Sequence, residues 1–234
     1  MFPGEKYGLH TRVFVNSMGL PTYEAKELGL AKKKFDRFPY DLSVIVTANE
    51  INEYFKVLLK ALELIYPDLA KKTEHVGHGM LKLKYGKMSS RTGNVVSGEG
   101  LIEDVSLEIR KKMESSEKNK IIENLDEVIT KISIGAIKYS MLKQSPGKDI
   151  MFDFETSLSF EGDSGPYLQY SYVRAMNILG KSSQSALDKV DLNVDMDKEE
   201  RVLLKELVKF PEIVDVSSKY LMPNLICSYL LSLS

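Results

Sequence analysis

The chain of 234 residues contains one cysteine, Cys227, and few signals for export or membrane insertion. A single cysteine excludes an intrachain disulfide and a multi-cysteine zinc site, and it favours a reducing compartment, for which we expect the cytoplasm. No run approaches the roughly 20 apolar residues that a membrane helix needs, so we expect no membrane partner. The first residues, MFPGEKYGLHTR, lack the apolar core of a secretory signal peptide. The remaining composition, 43% hydrophobic and 28% charged, is typical of an ordinary soluble globular protein.

An excess of charge of either sign is also absent, since 32 Lys and Arg residues nearly balance 33 Asp and Glu residues and the formal net charge is −1. The overall charge therefore does not indicate a nucleic-acid partner. Locally, residues 69–98 carry one acidic residue, Glu74, against six basic ones: Lys71, Lys72, Lys82, Lys84, Lys87 and Arg91. This run is either a solvated basic face or a surface that attracts phosphate, and charge alone does not separate the two.

The first 100 residues mix strand and helix signals. Residues 12–17 (RVFVNS) and 42–47 (LSVIVT) predict strands, and the second run is apolar enough for a strand covered on both faces. Residues 51–66 place apolar side chains on one helical stripe that Pro67 ends. Residues 80–85 alternate apolar residues with lysine, which predicts a half-exposed strand. Strand, helix and strand at this spacing indicate an α/β fold with a parallel sheet.

The second half of the chain is predicted to be helical. Residues 101–113, 125–143, 166–179, 199–210 and 211–233 carry helical spacing. Pro166 and Pro211 occupy positions suited to a first helical turn, and Asp163 or Ser164 could cap the helix at Pro166. Six acidic residues in 182–200 predict a solvated connection between helices. The chain ends within an apolar helical run, ICSYLLSLS, so we expect the last domain to be incomplete.

The loop GKMSSRTGN at 86–94 has the chemistry of a phosphate-binding segment. It combines two cations, two hydroxyls and flanking glycines after a predicted strand. Lys87 and Arg91 could neutralise a polyphosphate while the hydroxyls and backbone N–H groups donate hydrogen bonds. The spacing of Gly79 and Lys87 and the presence of Met88 exclude a Walker A loop. Taken alone, the pentapeptide KMSSR at 87–91 is better explained as a flexible basic hairpin loop.

The segment GKMSSRTGNVV resembles the KMSKS signature of class I aminoacyl-tRNA synthetases in its arginyl-tRNA synthetase form. Further stretches resemble that family in the same order: GLPTYEAKELGLA at 19–31, EYFKVLLKAL at 53–62, HVGHGMLKL at 75–83 and LSFEGDSGPYLQYSYVRAMNIL at 158–179. The resemblance implies a Rossmann-like α/β half domain with parallel strands over residues 1–155, followed by part of an all-α anticodon-binding bundle over 156–234.

The tetrad His75-Val76-Gly77-His78 resembles the HIGH motif that class I enzymes pair with KMSKS. Only eight residues separate His78 from Lys87, too few for the strands and helices that lie between the two signatures in this class. The tetrad also leads into a strand-like run rather than a helix. We therefore expect that it is not the HIGH motif, that this motif lies before Met1, and that the chain alone is inactive.

The resemblance assigns roles in ATP chemistry to two neighbouring segments. It implies that Lys87 stabilises the α- and β-phosphates while the amino-acid carboxylate attacks ATP. Its catalytic set comprises Lys87, Ser89, Ser90 and Arg91. Its ATP-binding set comprises His78, Gly79, Met80, Lys87 and Met88, with the backbone of Gly79 and Met80 implied to line the adenine pocket. ATP is expected to bring Mg²⁺, whereas the three histidines show no spacing for a structural metal, so we expect none.

Tyr23 and Glu27 are spaced i, i+4 and share a face if the segment is helical. A tyrosine ring and a carboxylate can hold a guanidinium by stacking and bidentate hydrogen bonding, although a core tyrosine beside a surface glutamate gives the same pattern. The resemblance implies recognition of arginine by this pair, with Glu27 in place of the usual Asp. Asn49 and Glu50 follow a strand, where ribose or substrate contacts occur, but Ile51 replaces the glutamine that binds arginine in the family.

The resemblance places a tRNA-binding helix at 166–179, with Tyr167, Gln169, Tyr170 and Arg174 as candidate contacts. Aromatic and arginine side chains suit base stacking and phosphate binding, although core packing is an alternative for the tyrosines. Tyr170 and Arg174 could also form a cation–π pair. The implied protein is a monomeric arginine–tRNA ligase that uses arginine, ATP and tRNA(Arg). Another class I synthetase, or a non-catalytic tRNA-binding module of the same ancestry, remains an alternative.

Overall fold

The structure is a computed structural model that describes residues 1–84, 97–115, 123–181 and 195–234. The chain forms two compact units. The first comprises Met1–Met80 with Pro146–Lys148, and the second comprises Leu81–Ser145 with Asp149–Ser234. Within the described residues, no helix is both long and apolar enough to cross a membrane.

The first unit is built around a β-α-β arrangement. Strand β1 (Ser43–Ala48) pairs in parallel with strand β2 (Thr73–His78), from Ser43 opposite Thr73 to Ala48 opposite His78. Helix α1 (Tyr23–Arg37) precedes β1, while helices α2 (Asn52–Ile65) and α3 (Pro67–Lys71) connect the two strands. The helix at 51–66 and the parallel pairing are confirmed, but the partner of β1 is the segment 73–78 and not the predicted strand at 80–85.

Helix α2 forms because its apolar residues recur on one face. Its buried residues are Phe55, Val57, Leu58, Ala61 and Leu62. At about 1.5–3 kcal/mol for each large buried side chain, this face is the main stabilising element of the unit. The helix ends at Ile65, and Pro67 begins α3, because proline fits a first helical turn.

Two expectations for the first unit are wrong. Residues 12–17 form only isolated bridges, one between Phe2 and Arg12 and one between Val15 and Pro21. The chain turns immediately afterwards, at Asn16, whose side chain accepts hydrogen bonds from the backbone N–H groups of Met18 and Leu20. Strand β1 is also not covered on both faces, since the side chain of Val46 is 62% exposed.

The second unit combines a short parallel strand pair with helices. Strand β3 (Leu81–Leu83) pairs with strand β4 (Ile150–Phe152), and helices α4 (Gly98–Glu114) and α5 (Leu125–Leu142) pack beside them. The buried core is made of Leu101, Val105, Ile109, Ile129, Ala136, Ile137, Phe152 and Leu158. The predicted strand at 80–85 is confirmed in its central residues. The predicted helices at 101–113 and 125–143 are confirmed within a few residues.

The remaining helices extend from this core. They are α6 (Phe154–Ser157), α7 (Gly165–Leu179), α8 (Lys198–Tyr220) and α9 (Pro223–Leu233). Asp163 and Ser164 were the two candidate caps of α7. Ser164 caps the helix, since its hydroxyl accepts a hydrogen bond from the N–H of Tyr167. The predicted α/β fold followed by helices is therefore confirmed.

The expectation that a helix begins at Pro211 is wrong, because α8 passes through this residue. Proline costs the helix one backbone hydrogen bond, which a helix of 23 residues with a capping box at Asp197 and Glu200 tolerates. The break comes instead at Leu221, whose backbone is left-handed with φ of 53°, and α9 begins at Pro223.

Helices α5 and α7 cross at two glycines. A Cβ atom on Gly165 would lie 2.5 Å from the carbonyl oxygen of Gly135, so the two backbones are in direct contact. The side chain of Gln169 lies over Gly135 and donates to the carbonyl oxygen of Lys131 at 3.1 Å. This crossing fixes the first half of α7 on α5.

Candidate functional site

Strands β1 and β2 end side by side, at Ala48 and His78, and this edge carries several polar groups. The carboxyl edge of a parallel sheet is the usual ligand site of α/β folds. The Asn49 side chain donates to the carbonyl oxygen of Gly147 at 3.1 Å, which fixes the segment 146–148 at this edge. Gly147 has φ of +84°, a conformation that favours glycine.

The tetrad 75–78 lies in β2 and not at the start of a helix. The imidazole ring of His75 stacks on Phe55 of α2, with ring centroids 3.9 Å apart and an interplanar angle of 7°. Its Nε2 atom is 2.7 Å from the Thr47 hydroxyl, and burial lowers its pKa. His75 is therefore a packing residue between sheet and helix, a role that its place in the sequence did not reveal.

The segment expected to bind adenine continues the same strand. His78 is exposed, and its Nδ1 atom lies 2.8 Å from the carbonyl oxygen of Gly79. Gly79 is buried and Met80 is exposed. The rest of the predicted catalytic and ATP-binding set, Lys87, Met88, Ser89, Ser90 and Arg91, lies outside the described residues.

Asn52 is a polar residue at this edge that the sequence analysis did not identify. A Cβ atom on Gly77 would lie 2.3 Å from its Oδ1 atom, so the amide packs directly on the glycine backbone. The same Oδ1 atom is buried and has no hydrogen-bond partner within the described part of the chain. A buried acceptor of this kind favours a donor from a ligand. The sequence signal that could have identified this contact is a glycine within a strand, which often marks a site where another group approaches the backbone closely.

Tyr23 and Glu27 lie on the first two turns of α1, as the spacing predicts. The Tyr23 side chain is 79% exposed, with the ammonium of Lys26 5.6 Å from its ring centroid. Glu27 is half-buried. Burial raises the pKa of Tyr54 on α2 to about 12, and the negative charge of Glu27 adds to this effect. The Glu27 carboxylate is therefore close enough to act on Tyr54.

A second carboxylate on α1 already has a guanidinium partner. The Arg12 Nη1 atom lies 3.4 Å from the Glu24 carboxylate, and the same guanidinium lies 5.2 Å from the centroid of the Tyr54 ring. Burial opposes ionisation of Glu24, but hydrogen bonds from its own backbone N–H, Thr22 and Arg12, together with the charge of Arg12, lower its pKa overall. Arg12 thus neutralises Glu24.

Helix α7 separates its four candidate residues into two groups. Tyr167 and Gln169 are half-buried and bonded within the unit, Tyr167 to the carbonyl oxygen of Ser234 at 3.3 Å. Tyr170 and Arg174 are exposed, and the guanidinium lies 5.6 Å from the tyrosine ring centroid, the cation–π pair considered from the sequence. The first two therefore contribute to packing, whereas the last two are available to a partner.

Across residues 1–84, 97–115, 123–181 and 195–234, no group of three or more His, Cys, Asp or Glu side chains could hold a metal ion.

Two protein-family models match this chain. Residues 4–154 match the family model described as tRNA synthetases class I (R), catalytic domain, and residues 168–234 match the DALR anticodon binding domain. The arginine–tRNA ligases of Clostridium acetobutylicum and Treponema denticola are each 34% identical, with 98% and 97% of this chain covered. The chain spans only 40% and 39% of the length of these two relatives.

Solved structures agree with the sequence matches. The arginyl-tRNA synthetase of Thermus thermophilus aligns with a TM-score of 0.80 and 28% identity over 95% of this chain and 41% of that one. The enzyme of Plasmodium falciparum, at 21% identity, supports the fold alone with a TM-score of 0.79 over 96% of this chain and 39% of that one. The chain belongs to the arginyl-tRNA synthetase family of class I aminoacyl-tRNA synthetases.

Proposed function

We propose that this chain contributes to an arginine–tRNA ligase, which activates arginine with ATP and transfers it to the 3′ end of tRNA(Arg). In the first step the arginine carboxylate attacks the α-phosphate of ATP, so that arginyl-adenylate forms and pyrophosphate leaves. In the second step a ribose hydroxyl of the tRNA attacks the activated carbonyl and AMP leaves. The observation that carries this proposal is the match of most of the chain to the family's catalytic domain.

Lys87 is the proposed main contributor to the first step. Its ammonium would stabilise the negative charge that builds on the α- and β-phosphates as the carboxylate attacks. Ser89, Ser90 and Arg91 would support the same segment with hydroxyl donors and a second positive charge. Within the basic run 69–98, Lys71, Lys82 and Lys84 form ion pairs with aspartates, so the proposal of a phosphate partner depends on Lys87 and Arg91.

The adenine end of ATP is proposed to bind where β2 ends. The backbone of Gly79 and Met80 follows that strand directly, beside His78, and Met88 lies on the chain after Lys87. The buried amide oxygen of Asn52, in the same unit, could accept a hydrogen bond from the nucleotide. Mg²⁺ would accompany the nucleotide and reduce the repulsion between its phosphates and the attacking carboxylate.

Arginine is proposed to bind at the α1 face formed by Tyr23 and Glu27. The exposed tyrosine ring can stack on a guanidinium, and the glutamate can accept two of its N–H groups. Glu24 does not compete for the same cation, because Arg12 already neutralises it. Glu27 is one methylene longer than the aspartate usual in the family, so the guanidinium would lie slightly farther from the backbone of α1.

We further propose that residues 1–155 form the catalytic part and residues 156–234 the tRNA-binding part. Tyr170 and Arg174 present an exposed aromatic face and a cation, which suit a nucleotide base and a phosphate. Tyr167 and Gln169 would support α7 rather than touch the tRNA. The ligase is proposed to act as a monomer in the cytoplasm.

The test is arginine-dependent exchange of pyrophosphate into ATP by the full-length gene product, with tRNA(Arg) present. Arginine should support exchange and tRNA charging, whereas citrulline, which has the same shape without the positive charge, should not. Exchange that depends on another amino acid would instead identify a sister synthetase. Tight tRNA binding without exchange for any amino acid would identify a non-catalytic tRNA-binding module.

A further inference from the structure

One face of helix α1 carries positive charge along its whole length. We call it the outer face of α1, and it consists of Tyr23, Lys26, Leu30, Lys33 and Arg37. These residues follow each other at spacings of three and four, which places them within about 80° of the helix circumference. All five side chains are exposed, Tyr23 by 79% and Leu30 by 52%. The three charged residues of this face are all basic.

The carboxylates of α1 do not neutralise this charge. Glu24 pairs with Arg12, Asp36 pairs with Lys32, and Glu27 is half-buried. Within the part of the chain that the structure describes, none of the three basic residues of the outer face forms an ion pair with a carboxylate. Positive charge that is fixed on a helix and not paired attracts anions.

Aromatic rings accompany the basic residues at both ends of the outer face. The Lys26 ammonium lies 5.6 Å from the centroid of the Tyr23 ring, and the Arg37 guanidinium lies 5.7 Å from that of Phe38, which is 65% exposed. Exposed basic and aromatic side chains on one surface are typical of nucleic-acid binding. A membrane-binding face would instead be mainly apolar, whereas Leu30 is the one aliphatic residue of the outer face.

We propose that the outer face of α1 binds the phosphate backbone of a double-stranded arm of tRNA. Lys26 and Arg37 lie about 16 Å apart along the helix axis, at about 1.5 Å per residue. A nucleic-acid duplex carries on the order of one phosphate for every 2 Å of its axis. Several phosphates therefore lie within reach of the three basic side chains at once.

The inference deepens the proposed function and rests on its arginine site. Tyr23 begins the outer face and also belongs to that site. A tRNA whose 3′ end reaches the arginine must extend the rest of its arm away across the protein surface. The outer face starts at the arginine site and continues for about three turns of α1, so it can hold the arm along this path.

The experiment measures the affinity of the full-length gene product for a tRNA(Arg) transcript by filter binding, between about 50 and 200 mM KCl. Lys33→Met and Arg37→Met should each weaken binding about 3- to 10-fold near 100 mM salt and reduce the slope of log affinity against log salt by about 1. The double variant should reduce the slope by about 2. Methionine retains a high helix propensity, and an unchanged midpoint of urea unfolding confirms that the variants are folded.

Lys32→Met is the matched control, because it removes the same charge from the same helix. Lys32 lies about 100° around the helix from the nearest residue of the outer face, and it pairs with Asp36. This variant should keep the affinity for tRNA within about twofold of the parent, because an exposed ion pair contributes little. Its salt slope should be that of the parent.

Unchanged affinity and slope in the double variant would overturn the inference, as would an equal loss in Lys32→Met. Weaker binding at an unchanged slope would also overturn it, because no phosphate contact would have been lost. Loss of binding to phosphatidylserine vesicles, with tRNA binding intact, would assign the outer face to a membrane instead. If the parent charges tRNA(Arg) with arginine while the double variant binds tRNA like the parent, the inference alone fails. A parent that does not charge tRNA(Arg) would refute the proposed function as well.

Discussion

The crossing of α5 and α7 offers a sharp test of the packing described above, through Gly165→Ala. The added methyl group would lie 2.5 Å from the carbonyl oxygen of Gly135 and 2.9 Å from the Cα atom of Ala136. Ordinary contact begins near 3.4 Å, so α7 must move away from α5 by about 0.9 Å. Both neighbouring atoms belong to backbone and cannot rotate away. Overpacking of this kind costs about 1–3 kcal/mol.

Urea unfolding of the chain would measure this cost as a lower midpoint at unchanged slope. Gly180→Ala, at the C-terminal cap of the same helix, is the control, since its methyl group would meet the Met176 carbonyl oxygen only at 3.4 Å. We expect Gly180→Ala to remain within about 0.5 kcal/mol of the parent. Equal stabilities for the two variants would refute the close backbone contact between α5 and α7.

Three further predictions concern charge. Burial lowers the pKa of His75 in the fold, so the stability that its neutral form contributes is fully present above the unfolded pKa of about 6.5 and is lost as the pH falls through the lowered pKa. His75→Phe should therefore flatten the dependence of the unfolding free energy on pH. An unchanged pH profile would contradict this. Glu27→Gln should raise the KM for arginine about 10- to 100-fold, because a hydrogen bond to a charged group contributes about 1.5–3 kcal/mol. The kcat for tRNA charging should change less than the KM. Arg174→Met should weaken tRNA binding and reduce the slope of log affinity against log salt by about 1, whereas an unchanged slope would remove Arg174 from the interface.

Periodic segments were predictable from the sequence. The apolar stripe of α2, the helical spacing of α4 and α5, and the proline and serine that start α7 are local patterns, and they appear within a few residues of the predicted bounds. Local patterns suffice to predict these helices because the spacing of the apolar residues determines which helix face is buried. The family resemblance supplied the order of the parts, and the matches confirm it.

Features that depend on distant residues were not predictable. Strand β2 runs through a tetrad of histidines and glycine, and it is a strand because β1 pairs with it and Phe55 covers His75. Pro211 indicates a helix start by local rules, yet neighbouring turns carry α8 through it. Gly77, on which the Asn52 amide packs, lies 25 residues away in sequence, so no spacing rule could find this contact.

The central claim is that Lys87 acts on the phosphates of ATP in an arginine-activating enzyme. The direct measurement compares arginine-dependent pyrophosphate exchange by the full-length gene product with that of its Lys87→Met variant. Loss of one such charge-stabilising contact typically costs about 100- to 1,000-fold in kcat, and we expect a loss of that size while the variant still binds tRNA(Arg). Exchange by Lys87→Met within a few-fold of the parent would contradict the account.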